Sequence, residues 1–214
     1  MMKKLENILP EVKRGVLLKD FTTFKIGGRA RYFCAVRTKE ELTGALGAAK
    51  SLKIPVFILG AGSNLLVSDK GFSGLIVKIL NQQPPRAVGD RVIAGAGVTM
   101  GELVNVSLKN GLGGTEWMTG IPGTLGGALR GNAGAFGLSM QDIVEGVEAL
   151  DARSLRFADY DKRKCKFAYR ESVLKRKPYF ILRAVLRFKK GNSKKLNEIS
   201  RRIIEMRLKK YKPG

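Results

Sequence analysis

Two glycine-dense segments constrain this chain more than any other feature: Gly60-Ala61-Gly62-Ser63-Asn64-Leu65-Leu66 and Gly120-Ile121-Pro122-Gly123-Thr124-Leu125-Gly126-Gly127-Ala128. Glycine has no Cβ, so such turns can press bare backbone N–H groups against phosphate oxygens. A Walker loop or a dinucleotide fingerprint requires a helix directly after its glycines. After the first segment the pattern is that of a strand, and neither Gly-Lys-Ser/Thr nor the full G-x-G-x-x-G order occurs. A phosphate held here lies in a turn between strands, with no helix dipole behind it. Ser63 and Asn64 add side-chain donors, although a tight β-turn with a buried polar side chain accounts for the same residues equally well. Asn132-Ala133-Gly134-Ala135-Phe136-Gly137 is a third small-residue run, against which a flat ligand can lie and be read by the main chain. Three such clusters favour a pre-formed cofactor pocket. Two turns suit a pyrophosphate bridge better than a single phosphate.

The spacing around these segments predicts the frame. Residues 31–36 read as a strand. Thr38-Lys39-Glu40-Glu41 is a capping-box sequence, and Leu42, Ala45, Leu46, Ala49 and Leu52 continue it as a helix to about Lys53. A short buried strand over 54–59 enters the first glycine turn, and another follows over 75–79, giving β-α-β-β. Residues 81–86, with two prolines, are the expected boundary between subdomains. Beyond it come a strand at 91–94, a helix over 99–110 closed by Gly111, and a strand over 142–151. A strand over 180–188 carries Arg183 and Arg187 on one face. The last element is a basic helix from Ser193 to about Lys210, with Leu196, Ile199, Ile203, Met206 and Leu208 as its apolar stripe and Lys212-Pro213-Gly214 as its stop.

Composition excludes several chemistries. The 214 residues contain no histidine, which removes the commonest general base, the Ser-His and Cys-His nucleophiles and the usual zinc ligand. Cys34 and Cys165 match no metal or redox spacing and are expected to be buried thiols. No apolar run is long enough to span a membrane, and the N-terminus turns polar too early for a signal peptide, so a cytosolic protein is expected. The net charge of +22 is concentrated C-terminally: residues 151–214 hold 22 Lys+Arg against 6 Asp+Glu. A polyanionic partner and a solvated basic surface both fit. Without interleaved aromatic residues or a nucleic-acid motif, the solvated surface is favoured.

Potential catalytic side chains crowd together only at Tyr169-Arg170-Glu171-Ser172. Arg170 can polarise a carbonyl or carboxylate there, or simply pair with a surface carboxylate. Trp117 and Met118 read as core.

The glycine segments occur in order with Thr22-Thr23-Phe24-Lys25-Ile26-Gly27-Gly28 before them and Tyr169-Arg170-Glu171-Ser172 after. That ordered set, spread over about residues 16–212, resembles the UDP-N-acetylenolpyruvoylglucosamine reductase (UDP-N-acetylmuramate dehydrogenase) family. The resemblance implies an α+β, two-subdomain FAD-binding fold of the vanillyl-alcohol-oxidase type, with subdomains at about 1–84 and 85–190 and a C-terminal helix over 191–214. It implies FAD as cofactor, NADPH as reductant and a UDP-sugar enolpyruvate as substrate, in peptidoglycan precursor synthesis. Gly60, Ala61, Gly62, Ser63, Asn64 and Leu65 become cofactor-binding residues. So do Gly120, Ile121, Pro122, Gly123, Thr124, Gly126 and Gly127, together with Asn132, Gly134, Ala135 and Gly137. Arg170 becomes the catalytic arginine that stabilises negative charge on the reduced substrate. The family continues after the basic helix into a third, substrate-binding domain, which carries a Gly-Ser-x-Phe-Lys-Asn-Pro motif with the proton-donating serine and a catalytic glutamate. No stretch of the 214 residues matches that motif, so neither group is assigned. A truncated product, an incomplete reading frame and a split enzyme completed by a separate chain each account for this. Arg130 stands where the family usually has an apolar residue. Two other functions remain open: an FAD-binding module without reductase activity, and a basic nucleic-acid-binding protein.

Overall fold

A computed structural model describes residues 5–80 and 84–210. The initial Met1-Met2-Lys3-Lys4, positions 81–83 of the expected linker and the terminal Lys212-Pro213-Gly214 stop lie outside these residues. The chain divides into two units, Met1–Gln82 with Asp151–Arg156, and Gln83–Leu150 with Phe157–Gly214.

In the first unit, β1 (Lys13–Leu17) runs antiparallel to β2 (Arg29–Val36). Thr38 then caps α1 (Lys39–Ser51), its hydroxyl accepting from the Glu41 N–H at 3.1 Å. Such a cap is worth about 1 kcal/mol. The Glu41 carboxylate reaches back to the N–H of Arg37, at 2.6 Å, rather than to that of Thr38 as a full capping box would. Leu42, Ala45, Leu46, Ala48 and Ala49 form the buried face of α1. β3 (Val56–Leu59) and β4 (Phe72–Ile79) complete a sheet of order β1-β2-β4-β3, in which β2, β4 and β3 are mutually parallel.

Adjacent parallel strands need a crossover of a dozen or so residues, usually helical. Between β2 and β3 the crossover is α1. Between β3 and β4 it is the loop 60–71 alone, so the first glycine turn begins a bare crossover. Two backbone hydrogen bonds stitch this loop to the segment before β2, Thr23 N–H to the Gly62 carbonyl at 3.2 Å and Gly28 N–H to the Ser68 carbonyl at 2.9 Å.

The second unit is built on a five-stranded sheet of order β11-β10-β12-β6-β5. Its strands are β5 (Arg86–Val88), β6 (Arg91–Gly95), β10 (Val144–Asp151), β11 (Phe157–Asp161) and β12 (Tyr179–Arg187). Thr99 and Glu102 form a reciprocal capping box at the start of α2 (Met100–Lys109), and Gly111 follows its end at φ +64°. The pair β7 (Leu112–Gly113) and β13 (Lys189–Lys190), the helix α3 (Leu125–Arg130) and the hairpin β8 (Gly134–Ala135) with β9 (Leu138–Ser139) surround the sheet's core. Two further short helices are α4 (Met140–Ile143) and α5 (Val173–Arg176). The strand expected over 142–151 begins only at Val144, because Asp142 returns to the Ser139 N–H at 2.7 Å and closes the first turn of α4. Leu103, Val92, Leu125, Leu129, Met140, Ala149 and Leu186 are fully buried together, with Trp117 and Met118 among them as expected.

The final helix, α6 (Ser193–Lys210), corrects the sequence reading. Leu196 is buried, but Ile199, Met206 and Leu208 of the expected stripe are exposed. The inward face instead carries Ser200 and Arg207. Ser200 accepts a hydrogen bond from the Thr119 hydroxyl at 3.2 Å, and Arg207 donates to the Trp117 carbonyl at 3.1 Å. Polar anchors, rather than the full apolar stripe, set the rotation of this helix.

Both cysteines are free and buried, and burial pushes each thiol up to about 11. At pH 8 the thiolate fraction is then about 10⁻³, against roughly a quarter for an ordinary thiol near 8.5. Labelling by an aromatic disulfide reagent is expected to run at least ~100-fold slower in the folded protein than after unfolding in guanidinium. One thiol that reacts at the unfolded rate would contradict the burial.

Candidate functional site

The turn 60–65 lies at the carboxyl end of β3, on the edge where β2 and β4 also end: Val36 pairs with Ile79, and Leu59 with Lys78. In open α/β sheets ligands bind beyond the carboxyl ends of parallel strands. The local hydrogen bonding leaves the turn equipped for an anion. Two of its carbonyls are engaged, Gly60 by the Lys78 ammonium at 2.9 Å and Gly62 by the Thr23 N–H at 3.2 Å. The N–H groups of Ala61, Gly62, Asn64 and Leu65 meet no acceptor among the described residues. Ser63 is half-buried and Asn64 exposed, so the alternative of a turn built around a buried polar side chain does not describe it. Gly62 itself is demanded by packing: its φ is +68°, and a Cβ there would stand 2.0 Å from the Phe21 carbonyl oxygen. Beneath the loop is an apolar cavity of about 190 Å³ walled by Leu18, Phe57, Leu59, Leu65, Leu66 and Phe72, without a titratable group.

In the second unit the Gly120–Gly127 stretch is only partly open. The N–H groups of Ile121, Leu125 and Gly126 already bond to the carbonyls of Met118, Val98 and Ala96. Gly126 is also close-packed, a Cβ there coming within 3.0 Å of Ala96 Cβ. Thr124 caps α3, and Pro122 and Gly123 sit in the turn ahead of it. Gly120 and Gly123, both at positive φ, have N–H groups with no acceptor among the described residues. Asn132 is buried and its amide fully engaged, donating to the Ala168 carbonyl at 2.9 Å and accepting from the Gln141 N–H at 3.0 Å. It acts as a strut rather than an open reader of a ring edge. Gly134 and Ala135 form β8, and Phe136 (φ +54°) with Gly137 (φ +78°) makes the hairpin tip.

Arg170 is the second central residue of a tight turn closed by two bonds between Ala168 and Glu171, at 3.0 and 3.1 Å. Its φ is +55°, and its guanidinium lies over the Tyr169 ring, which is 89% exposed. The surface salt bridge that the sequence allowed for Arg170 is not formed among the described residues. Glu171 pairs instead with Lys175 at 2.8 Å and Arg176 at 3.6 Å, and the Lys175 bond foremost holds its carboxyl below the usual range. The turn is braced from behind. Buried Ser172 donates its hydroxyl to the Arg130 carbonyl at 2.8 Å, and Arg130 donates to the Leu174 carbonyl at 3.0 Å. Asn132 supplies the third tie through Ala168. Arg170 is thus a cation with no carboxylate partner among the described residues, carried on an anchored turn.

Residues 30–155 match the FAD-binding domain family. Over 208 residues the chain is 40% identical to the UDP-N-acetylenolpyruvoylglucosamine reductase of Caldanaerobacter subterraneus subsp. tengcongensis, covering 94% of this chain and 68% of that one. The chain belongs to the UDP-N-acetylenolpyruvoylglucosamine reductase family. The reductase of Clostridium novyi is 36% identical over 192 residues, 89% of this chain and 62% of that relative. The chain therefore spans about two thirds of the length of such reductases. The crystal structure of the reductase from Thermus caldophilus superposes with a TM-score of 0.79 at 32% identity, over 95% of this chain and 71% of that one. A solvent-stable cholesterol oxidase shares the fold alone, with a TM-score of 0.67 at 19% identity. The mixed α+β architecture is thus the FAD-binding fold of the vanillyl-alcohol-oxidase type, as expected of a reductase of this family.

Sequence reasoning missed three contributors to these sites: Lys78 on the first turn, Arg207, whose Cδ would stand 3.0 Å from a Cβ on Gly120, and the structural use of Arg130. Arg130 alone carried a signal, as an unusual charge at an apolar position.

Proposed function

We propose that this chain provides the FAD-binding and Arg170-bearing part of an NADPH-dependent reductase that converts UDP-N-acetylglucosamine enolpyruvate to UDP-N-acetylmuramate. The observation that carries the reading is the 40% identity over 208 residues to one such reductase. The residues present fit the cofactor: the N–H groups of Ala61, Gly62, Asn64 and Leu65 are open to an anion beside a lysine. The Gly120–Gly123 turn offers two more. When bound, FAD supplies the two-electron carrier between NADPH and the enolpyruvyl double bond. Arg170 contributes a guanidinium that no carboxylate among the described residues neutralises, suited to the negative charge that develops on the substrate carboxylate as the double bond is reduced. Asn132, Ser172 and Arg130 keep its turn in place.

Purified residues 1–214 are expected to be yellow, or to take up added FAD with quenching of its fluorescence, in preference to FMN. A protein that binds no FAD defeats the proposal. Turnover is then followed as NADPH oxidation with the enolpyruvyl sugar, with and without the remaining C-terminal part of the Thermus relative added in trans. The family resemblance puts the proton donor in that part, and loss of a general acid lowers rates about 10²–10⁴-fold. Full turnover at about 1–10³ s⁻¹ by residues 1–214 alone would place the proton donor within them.

A further inference from the structure

We propose that Lys78 is the counter-charge for a phosphate bridge bound at the turn 60–65, a role that rests on the FAD reading above and gives its first turn a charged ligand. Lys78 sits one residue before the end of β4, paired with Leu59, the last residue of β3 before the glycines. Its ammonium reaches over the Phe21 ring, 5.8 Å from the centroid, to the Gly60 carbonyl at 2.9 Å. That is one acceptor for three N–H donors. No carboxylate pairs with it among the described residues, and burial pushes the ammonium down from its usual value with nothing to pull it back.

A half-buried cation without an anion is an unfavourable arrangement in a folded chain. It is most unfavourable in one whose net charge is already +22. The adjoining turn presents N–H groups at Ala61, Gly62, Asn64 and Leu65 that meet no acceptor among the described residues. Cation and donors share the carboxyl edge of three parallel strands, where a bound anion would meet both. A diphosphate suits this pairing: the backbone donors take oxygens by geometry, and the ammonium, a compact point charge, balances the charge. A diphosphate bound there would give the ammonium the counter-charge that the described residues do not supply.

Lys78→Met keeps the stem and removes the charge, and Lys78→Arg keeps the charge. The dissociation constants of FAD and of ADP, which contains the phosphate bridge without the flavin, are measured for the wild type and both variants by titration calorimetry at two salt concentrations. Lys78→Met is expected to weaken both ligands at least ~10-fold and to flatten the salt dependence, while Lys78→Arg recovers part of the affinity. The ligand-free melting temperature of Lys78→Met is expected to equal or exceed that of the wild type, since an uncompensated charge is removed. Unchanged FAD and ADP affinities in Lys78→Met overturn the inference while leaving the flavin reading intact. A lowered melting temperature that accompanies the affinity loss overturns it too, by making Lys78 a brace for the Gly60 carbonyl. Wild-type protein that binds ADP through Lys78 but not FAD upholds the inference and defeats the flavin reading.

Discussion

Alanine at position 170 is expected to slow reduction of the enolpyruvyl sugar about 10²–10³-fold, the range found when one preorganised donor to a developing negative charge is removed. FAD affinity should change less than about twofold. The separation follows from where the side chain is. Arg170 projects from a two-residue turn, lies over the Tyr169 ring and pairs with no carboxylate among the described residues, the neighbouring Glu171 being taken by Lys175 and Arg176. Removing it leaves the Ala168–Glu171 bonds and the Ser172 and Asn132 braces intact. The assay is steady-state turnover in a form completed with the relatives' C-terminal part, alongside an FAD titration of the same sample. Equal loss of FAD binding would mean that the arginine holds the cofactor. Unchanged turnover would remove it from the chemistry. Lysine at 170 should restore only part of the rate, because a point charge does not replace a planar fork that grips a carboxylate with two bonds.

Much of this frame was legible because local signals and tertiary packing agree. Thr38 and Thr99 cap the helices they announce, and the apolar spacing of α1 matches its buried face. β12 alternates as its sequence does, with Arg183 and Arg187 outward. The failures share a physical cause: the deciding partner is distant in sequence. β1 is short, basic and interrupted by Gly15 at φ +64°, so only its pairing with β2 makes it a strand. The crossover from β3 to β4 carries no helix, as read, but the stretch straight after its glycines is coil where a strand was expected, β4 beginning only at Phe72. On α6, Ile199, Met206 and Leu208 promised an inward stripe, whereas bonds to Thr119 and Trp117 turned Ser200 and Arg207 inward instead. At the candidate site, glycine density located the turns but not the work of each glycine. Gly126 and Gly62 answer to neighbouring backbone, and the Asn132 amide answers to Ala168 and Gln141.

That distinction makes Gly62 the most sensitive position of the first turn. At φ +68° any other residue incurs about 1–2 kcal/mol for the left-handed conformation. The Cβ of alanine would also stand 2.0 Å from the Phe21 carbonyl oxygen and 3.1 Å from Thr22 Cα. Those atoms are backbone and cannot rotate aside. They belong to a segment fixed by Thr23 N–H on the Gly62 carbonyl and by the Thr22 hydroxyl on the Ile26 carbonyl at 3.1 Å. Relieving the overlap means pulling the crossover off that segment, so strain and lost packing add to the backbone term for a total of at least ~3 kcal/mol. For a unit of this size that lowers the melting temperature by roughly 12 °C or more. Gly89→Ala is the matched control, with φ +63° but nothing within 4 Å of its added Cβ, so it should lose only the conformational term. Melting followed by far-ultraviolet circular dichroism compares the two. The turn displaced in Gly62→Ala also carries the N–H groups that meet no acceptor among the described residues, so FAD affinity should fall at temperatures where the variant is still folded. If Gly62→Ala melts within a few degrees of Gly89→Ala and binds FAD as the wild type does, the close approach to Phe21 is not what fixes this loop.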